Sequence, residues 1–316
     1  MTRAFHAVTA EPWAILPDWL HAIAALALRQ RDHVAVQAIR TPTQDPREQT
    51  GAPSDEEEAM NARRRRELAM MCGEMSQRRL DNGSGRAIVN GNVAVIPVFG
   101  PIYPRANMMT DFSGATAISS LRRDAHAAFN DDTVDALLWA IDSPGGAVSG
   151  VNGFVDFLHA NRGRKPMAAH VLGTGASAAY WIATALERVT LERTAMVGSI
   201  GVVAAIPKQV SPDRDGDLFI EIVSSNAPNK RPDPTTPEGV LEIRDSLDAI
   251  EKQFVADVAR GRKVSAEAVL AEFGKGGVVV GGDATKRGMA DAITSMDAAV
   301  RHMARVGKQS RAKQAG

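Results

Sequence analysis

The chain has 316 residues, 44% of them hydrophobic, with 37 basic and 37 acidic side chains. This suits one large α/β domain with appendages and excludes a chain too polar to bury a core. Balanced charge leaves no global field to draw nucleic acid or an anionic membrane, and the single cysteine, Cys72, excludes an intrachain disulfide and fits a reducing compartment.

Residues 1–39 read as an N-terminal helical region. Its apolar stretch, Trp13 to Leu28, is interrupted by Pro17, Asp18 and His21. A short amphipathic helix after Pro17 fits it better than a membrane span, and no basic n-region with a cleavage site precedes it. The expectation is a soluble, cytoplasmic chain. Residues 40–58, rich in Pro, Gly, Thr and charge, read as a flexible linker. Asp55 to Leu80 reads as a charged helix; its Arg63–Arg66 run is countered by Asp55–Glu58, so a solvated or oligomer-contacting face is preferred to nucleic-acid binding. Cys72, in this Met-rich segment, reads as a buried or idle thiol. Residues 59–85 therefore form a charged helix and turn, ending at Asp81–Gly85.

From Ile88 to Val98 the β-branched run broken by Asn90-Gly91 predicts a hairpin leading into a core strand. Pro104 to Ser113 is irregular and is expected to line a groove, and Ala115 to Phe129 is an amphipathic helix. The centre of the chain runs from Val134 to Val203 as two strand, glycine-rich turn, helix units. In the first, Ala136–Ile141 is the strand and Ser143-Pro144-Gly145-Gly146 turns into a helix near Val148. Adjacent glycines there present bare backbone N–H groups to a ligand. In the second, Met167–Leu172 is the strand, Gly173-Thr174-Gly175 the turn, and Ser177 opens the helix. Open α/β sheets place their chemistry at such strand ends.

Further on, Leu218–Ser225 reads as a strand before a proline-punctuated loop holding Lys230. Pro237 opens a long helix with Val240, Ile243, Leu247, Ile250, Phe254 and Val258 on one face. Ser265 caps the next helix, with Glu267 in its first turn. The basic tail, residues 304–316 and the arginines just before it, is expected to be disordered or to make an electrostatic contact.

DSPGG, GASAAYW and VGSIGVV, in this order and spacing, resemble the signal peptide peptidase A family of serine peptidases. The resemblance extends from about Val93 to Met303 and assigns residues 86–303 to the peptidase domain. It implies an α/β, Clp protease/crotonase-like fold of repeated β-β-α units, here with an N-terminal helical extension. SSNAPNKRPDP is similar to versions in phage-encoded members, the minor capsid protein C group that trims head proteins during capsid maturation. The family's closing "GLVD" corresponds here to Gly288-Met289-Ala290-Asp291.

Peptide hydrolysis by a serine needs a nucleophile, a base and two oxyanion donors. Ser177 is the nucleophile candidate, its plain alternative being a helix N-cap. The histidine downstream of it, His302, lies in the basic tail, so a lysine base is preferred. Lys230 stands at the spacing expected from the family; Lys208 is the rival and is read as a surface residue. A lysine base must be neutral, which requires about 4 kcal/mol of ammonium destabilisation, from burial against substrate or a neighbouring subunit. Ser199 matches the family's accessory serine, which orients the lysine; a turn-stabilising role is its alternative. The oxyanion donors are the N–H groups of Gly146 and Ala178, with Gly145 left open as the first. Asp142 reads as turn stabilisation. Where the family has "SGGY", this chain has Ser177-Ala178-Ala179-Tyr180, whose added methyls narrow the pocket.

The resulting expectation is a serine endopeptidase with a Ser-Lys dyad acting on protein substrates such as phage scaffold or portal-associated protein. It needs no metal or cofactor and works as a homo-oligomeric ring. The alternatives are a soluble signal-peptide-degrading peptidase, a crotonase-like acyl-CoA enzyme and a catalytically silent capsid structural protein.

Overall fold

Small and β-branched apolar residues dominate Val93–Phe99 and Ala136–Ser143, and both stretches are central parallel strands. The computed structural model describes residues 12–16, 55–73, 76–106, 114–206, 211, 220 and 222–316. The elements follow in chain order as β1 (Trp13–Ile15), α1 (Asp55–Met71), β2 (Gln77–Arg79), β3 (Ile88–Asn90), β4 (Val93–Phe99), β5 (Ile102–Tyr103) and β6 (Thr116–Ala117). Next come α2 (Ile118–Asn130), β7 (Ala136–Ser143), β8 (Gly145–Ala147), α3 (Val151–Ala160), β9 (Met167–Ala176), α4 (Ala178–Thr184), β10 (Arg188–Leu191) and β11 (Met196–Gly198). The chain closes with α5 (Pro237–Arg262), α6 (Ala266–Glu272), β12 (Val278–Val280), α7 (Gly281–Lys286), β13 (Ala292–Ile293) and α8 (Met296–Ala315).

The main sheet follows the order β12-β11-β9-β7-β4-β3-β2, with β10 beside β9 and β13 beside β10. Its centre, β4-β7-β9, is parallel. Period-two alternation sorts β7 between two cores. Leu137, Trp139 and Ile141 join the larger core with α2 to α5, whereas Ala136, Leu138 and Ala140 face Leu68 of α1 and Val300 of α8. The chain is thus an α/β layered fold with helices on both faces, as the family resemblance implies.

Several local expectations hold for physical reasons visible in the backbone. Gly91, at φ 62°, makes the β3–β4 hairpin. The Thr236 hydroxyl accepts from Gly239 N–H at the head of α5, and Ser265 and Ser295 cap α6 and α8 in the same way. Cys72 is buried, and burial pushes its thiol up to about 12, an inert group. Glu58 pairs with Arg65 and Arg79, so the acidic start of α1 neutralises part of its own arginine run.

Other boundaries move. The charged helix stops at Met71, where Gly73 at φ 78° ends it, and Gln77–Arg79 is an edge strand. The Ser-Pro-Gly-Gly stretch is no simple turn: Gly145–Ala147 is a strand, and α3 starts only at Val151, after Gly150 at φ 83°. Likewise Gly173-Thr174-Gly175 continues β9 through a bulge, Ile141 pairing with Val171 but Ser143 with Gly175. Residues 301–315 are helix rather than disordered; Arg311 bonds Asp135 and the Asp132 carbonyl, because the Gly307 backbone lets α8 lie close against Asp135. In the stretch expected as a strand from Leu218, Ile220, Ile222 and Val223 are exposed and outside any strand. The helix expected after Pro17 and most of the Pro104–Ser113 groove segment lie outside the described residues. Among the described residues no helix is long and apolar enough to cross a membrane.

One buried carboxylate gives this architecture a pH signature. Asp124 of α2 is 1% exposed and accepts from the Ser84 amide and hydroxyl. Burial outweighs these bonds and raises it from 3.8 to about 6. Below about pH 4 the group is neutral in folded and unfolded chains alike, so its stabilisation is fully present there. As pH rises toward 6 the unfolded chain releases the proton first, and that contribution is lost. Asp124→Asn, neutral throughout, should therefore gain on wild type by on the order of 2–3 kcal/mol between pH 4 and pH 7. Chemical denaturation of both proteins at the two pH values checks this, and a difference independent of pH would contradict it.

Candidate active site

The passage from β9 into α4 turns at a single residue, Ser177, whose backbone stands at φ 55° and ψ −121°. A non-glycine residue there carries about 1–3 kcal/mol of strain and persists only where its surroundings over-determine it. Here they do. The Ser177 N–H donates to the Gly198 carbonyl at 2.7 Å, and the Ser177 carbonyl accepts from Trp181 N–H at 2.9 Å. On one side Ala176 pairs with Gly198 of β11, and Gly175 before it with Ser143 of β7. On the other, every residue of α4 is buried. Tyr180 donates to the Met289 carbonyl at 2.8 Å, and Trp181 donates to Asp257 at 2.9 Å while stacking on Phe254.

This geometry separates the two readings of Ser177. It occupies the N-cap position of α4, yet its side chain makes no capping bond. The hydroxyl is buried and has no hydrogen-bond partner among the described residues. An unpaired buried polar group costs about 1–3 kcal/mol. Ser177 therefore does not serve as the side-chain cap of α4, and it stands on the kind of sharp strand-to-helix turn that can carry a nucleophile.

Beside it runs the Ser-Pro-Gly-Gly strand. The Ser143 hydroxyl donates to the Gly100 carbonyl at 2.7 Å and accepts from Gly145 N–H at 3.2 Å, which fixes the approach to β8. Gly145 takes φ 102°, and a β-carbon on it would lie 2.9 Å from the Ser177 Cβ and 2.2 Å from the Ala14 carbonyl oxygen. Gly146 is as tightly enclosed by the Ile102 backbone. β8 pairs antiparallel with β1, Ala14 opposite Gly146. The bonds Leu16 N–H to Pro144 O and Val148 N–H to Pro12 O bracket that pair. Antiparallel alternation then gives Gly146 N–H to the Ala14 carbonyl. Of the two glycines, Gly145 faces its amide to Ser143 and Gly146 faces its own to a carbonyl oxygen next to Ser177. The Ala178 N–H, first in α4, has no intrahelical carbonyl to bond.

Ser199 is brought to the same place. β11 and β9 run parallel with Gly198 opposite Ala176, so Ser199 and Ser177 follow side by side. Ser199 is nearly buried, sits at φ 51° and donates its N–H to the Gly277 carbonyl at 2.7 Å. Lys230 is placed otherwise: it ends an exposed single turn of 3-10 helix, Pro228–Lys230, and does not bond Ser177. Lys208 lies outside the described residues. His302 lines a cavity of about 300 Å³ with Arg188, Thr190 and Met303 on the α8 face of the sheet, remote in the layering from α4. Asp142 accepts from Thr174 N–H at 2.9 Å, a bond from β7 to the bulged end of β9 and not within the turn expected from its position.

The element that sequence reasoning missed is β1. Trp13-Ala14-Ile15 was part of an apolar stretch judged for membrane spanning and helix formation; its alternation of large, small and large residues was the available signal.

A strained serine at a strand-to-helix turn, beside a glycine pair in a parallel α/β sheet, is an arrangement that serine-nucleophile hydrolases use, and the comparisons bear on the same class. Residues 159–310 match Peptidase family S49. It is 29% identical over 220 residues to the head-tail preconnector protein GP5 of Enterobacteria phage P21, covering 69% of this chain and 43% of the relative. It is 28% identical over 216 residues to capsid assembly protease C of Escherichia phage lambda, covering 67% and 48%. It is also 26% identical over 219 residues to Protease 4 of Haemophilus influenzae, covering 67% and 34%. The chain thus spans less than half the length of each of these relatives.

The packing at Gly145 is directly testable. Gly145→Ala introduces a β-carbon at a left-handed φ and into contact with Ser177, and should lower stability by about 1–3 kcal/mol. Gly153→Ala, in α3 with nothing within 4 Å of the added carbon, should be neutral or stabilising by up to about 1 kcal/mol. Denaturant melts of the two variants compare them; equal effects would remove the case for a closed glycine–serine contact.

Proposed function

We propose that the chain is a serine endopeptidase acting on phage head proteins during capsid maturation. The observation that carries the chemistry is the buried, unpartnered hydroxyl of Ser177 on its strained turn. Ser177 Oγ attacks the scissile carbonyl, and Lys230 as neutral amine takes its proton and returns it to the leaving amine. Ser199 orients that amine. The N–H groups of Gly146 and Ala178 hold the oxyanion; a carbonyl oxygen already bonded by Gly146 beside Ser177 supports the first of these. The names of the phage relatives support the choice of substrate class.

Because Lys230 stands exposed, its amine reaches Ser177 only after the 222–236 segment moves in against substrate or a neighbouring subunit. An assembly is in keeping with α5, where Phe254 and Val258 are buried but Val240, Ile243, Leu247 and Ile250 of the same stripe are only half covered. A silent capsid protein is disfavoured by energetics. Without catalysis, nothing would retain both the backbone strain and the unsatisfied hydroxyl.

Two experiments test this. Incubation with candidate head proteins should give discrete fragments on a gel with wild type and none with Ser177→Ala, whose melting should stay within about 1 kcal/mol of wild type; equal cleavage by both would remove the nucleophile. For the base, activity of wild type should rise with pH as the lysine deprotonates. Lys230→Arg should be inactive at every pH, since guanidinium cannot accept the proton. Lys208→Arg should follow wild type. The reverse pattern would move the base to Lys208.

A further inference from the structure

β1 is an addition to the sheet beside Ser177 rather than part of its frame. It stands at the end of the small sheet, whose order is β1-β8-β5-β6, so removing it leaves the pairing of β8, β5 and β6 intact. Its ladder partners are the two segments that flank the serine. One is β8; the other is Val203, which exchanges both backbone bonds with Trp13 at 2.9 and 2.8 Å. Three residues therefore lie as an extended peptide in a slot with backbone donors and acceptors on both sides, the geometry of strand addition.

The side chains alternate accordingly. Trp13 and Ile15 enter a separate apolar cluster with Tyr103, Ala115 and Ala147, Trp13 standing edge-on to Tyr103 at 5.9 Å. Ala14 faces the other way, into the core that includes Ala178. Its carbonyl oxygen and the Ser177 Cβ crowd the same point above Gly145, and that carbonyl accepts from Gly146 N–H. All three residues are at most 3% exposed.

We infer that Trp13–Ile15 occupies the peptide-substrate slot in cis, with Ala14 where a scissile residue would lie, so that the chain carries its own competitor for the site. The inference rests on the peptidase reading. It specifies the occupant that displaces the strand: an extended peptide with a small residue toward Ser177 and large apolar residues on either side of it.

Binding to full-length chain carrying Ser177→Ala tests the slot without hydrolysis. The probe is a fluorescein-labelled peptide of residues 12–16, Pro-Trp-Ala-Ile-Leu. Adding Trp13→Ala and Ile15→Ala should tighten its binding at least tenfold, and a probe with arginine in place of the central alanine should not bind. Unchanged affinity in the double variant, or equal binding of the two probes, overturns the inference. Should the double variant fail to fold, Trp13→Cys with Val203→Cys decides. The pair faces across the ladder about 5.5 Å apart, within disulfide reach, and Cys72 is buried and protonated. Oxidation should abolish probe binding and dithiothreitol should restore it; an oxidised chain that binds as well as the reduced one shows β1 to be a plain structural strand. A chain that binds the probe in this pattern yet cleaves nothing keeps the inference about the slot and loses the peptidase reading.

Discussion

Everything near the site depends on the backbone of Ser177 being held in a conformation that serine does not choose. Two hydrogen bonds close on its peptide groups, from Trp181 N–H and to the Gly198 carbonyl. The strand before it and the helix after it are both locked in the core. The cost of about 1–3 kcal/mol is of the size released by burying one large apolar side chain, and α4 buries Tyr180, Trp181 and Ile182 together. Packing on α4 is therefore what keeps the hydroxyl aimed away from the helix it would otherwise cap.

The same constraint explains the glycines. A sharp turn at Ser177 brings its Cβ against the neighbouring strand, where a second β-carbon does not fit: Gly145 has to be bare. Gly146 must be bare for a different neighbour, the Ile102 backbone of β5. Close approach leaves the Gly146 amide facing a carbonyl oxygen beside Ser177, while the Gly145 amide is taken by the Ser143 hydroxyl.

Much of this was legible in residue order. Unbroken apolar runs placed the central strands, and Asn90-Gly91, Pro237 and Ser265 marked a hairpin, a helix start and a cap by local chemistry. Ser177 and Ser199 were brought together as their motifs implied. Glycine misled in two places. Gly145-Gly146 and Gly173–Gly175 were read as turns, since glycine permits turns; in the fold they are strand positions where neighbouring backbone or Val171 presses too close for a side chain. That distinction depends on tertiary neighbours and has no local signature. For the tail, the electrostatic alternative holds: Arg311 pairs with Asp135, far away in the chain. β1 was obscured because its single large-small-large cycle lies within a longer apolar stretch, and its bonding partners, β8 and Val203, are distant in sequence.

The site divides its parts by the physics each requires. In the proposed chemistry the nucleophile and its oxyanion donors need fixed geometry, and the residues assigned to them sit on buried strands and a buried helix. A lysine that must lose its charge needs desolvation at the moment of use, and a permanently buried ammonium would cost far more than a pair of hydrogen bonds returns. Keeping Lys230 on an exposed turn spares the folded chain that cost. In the proposed chemistry, desolvation then accompanies whatever closes over the turn.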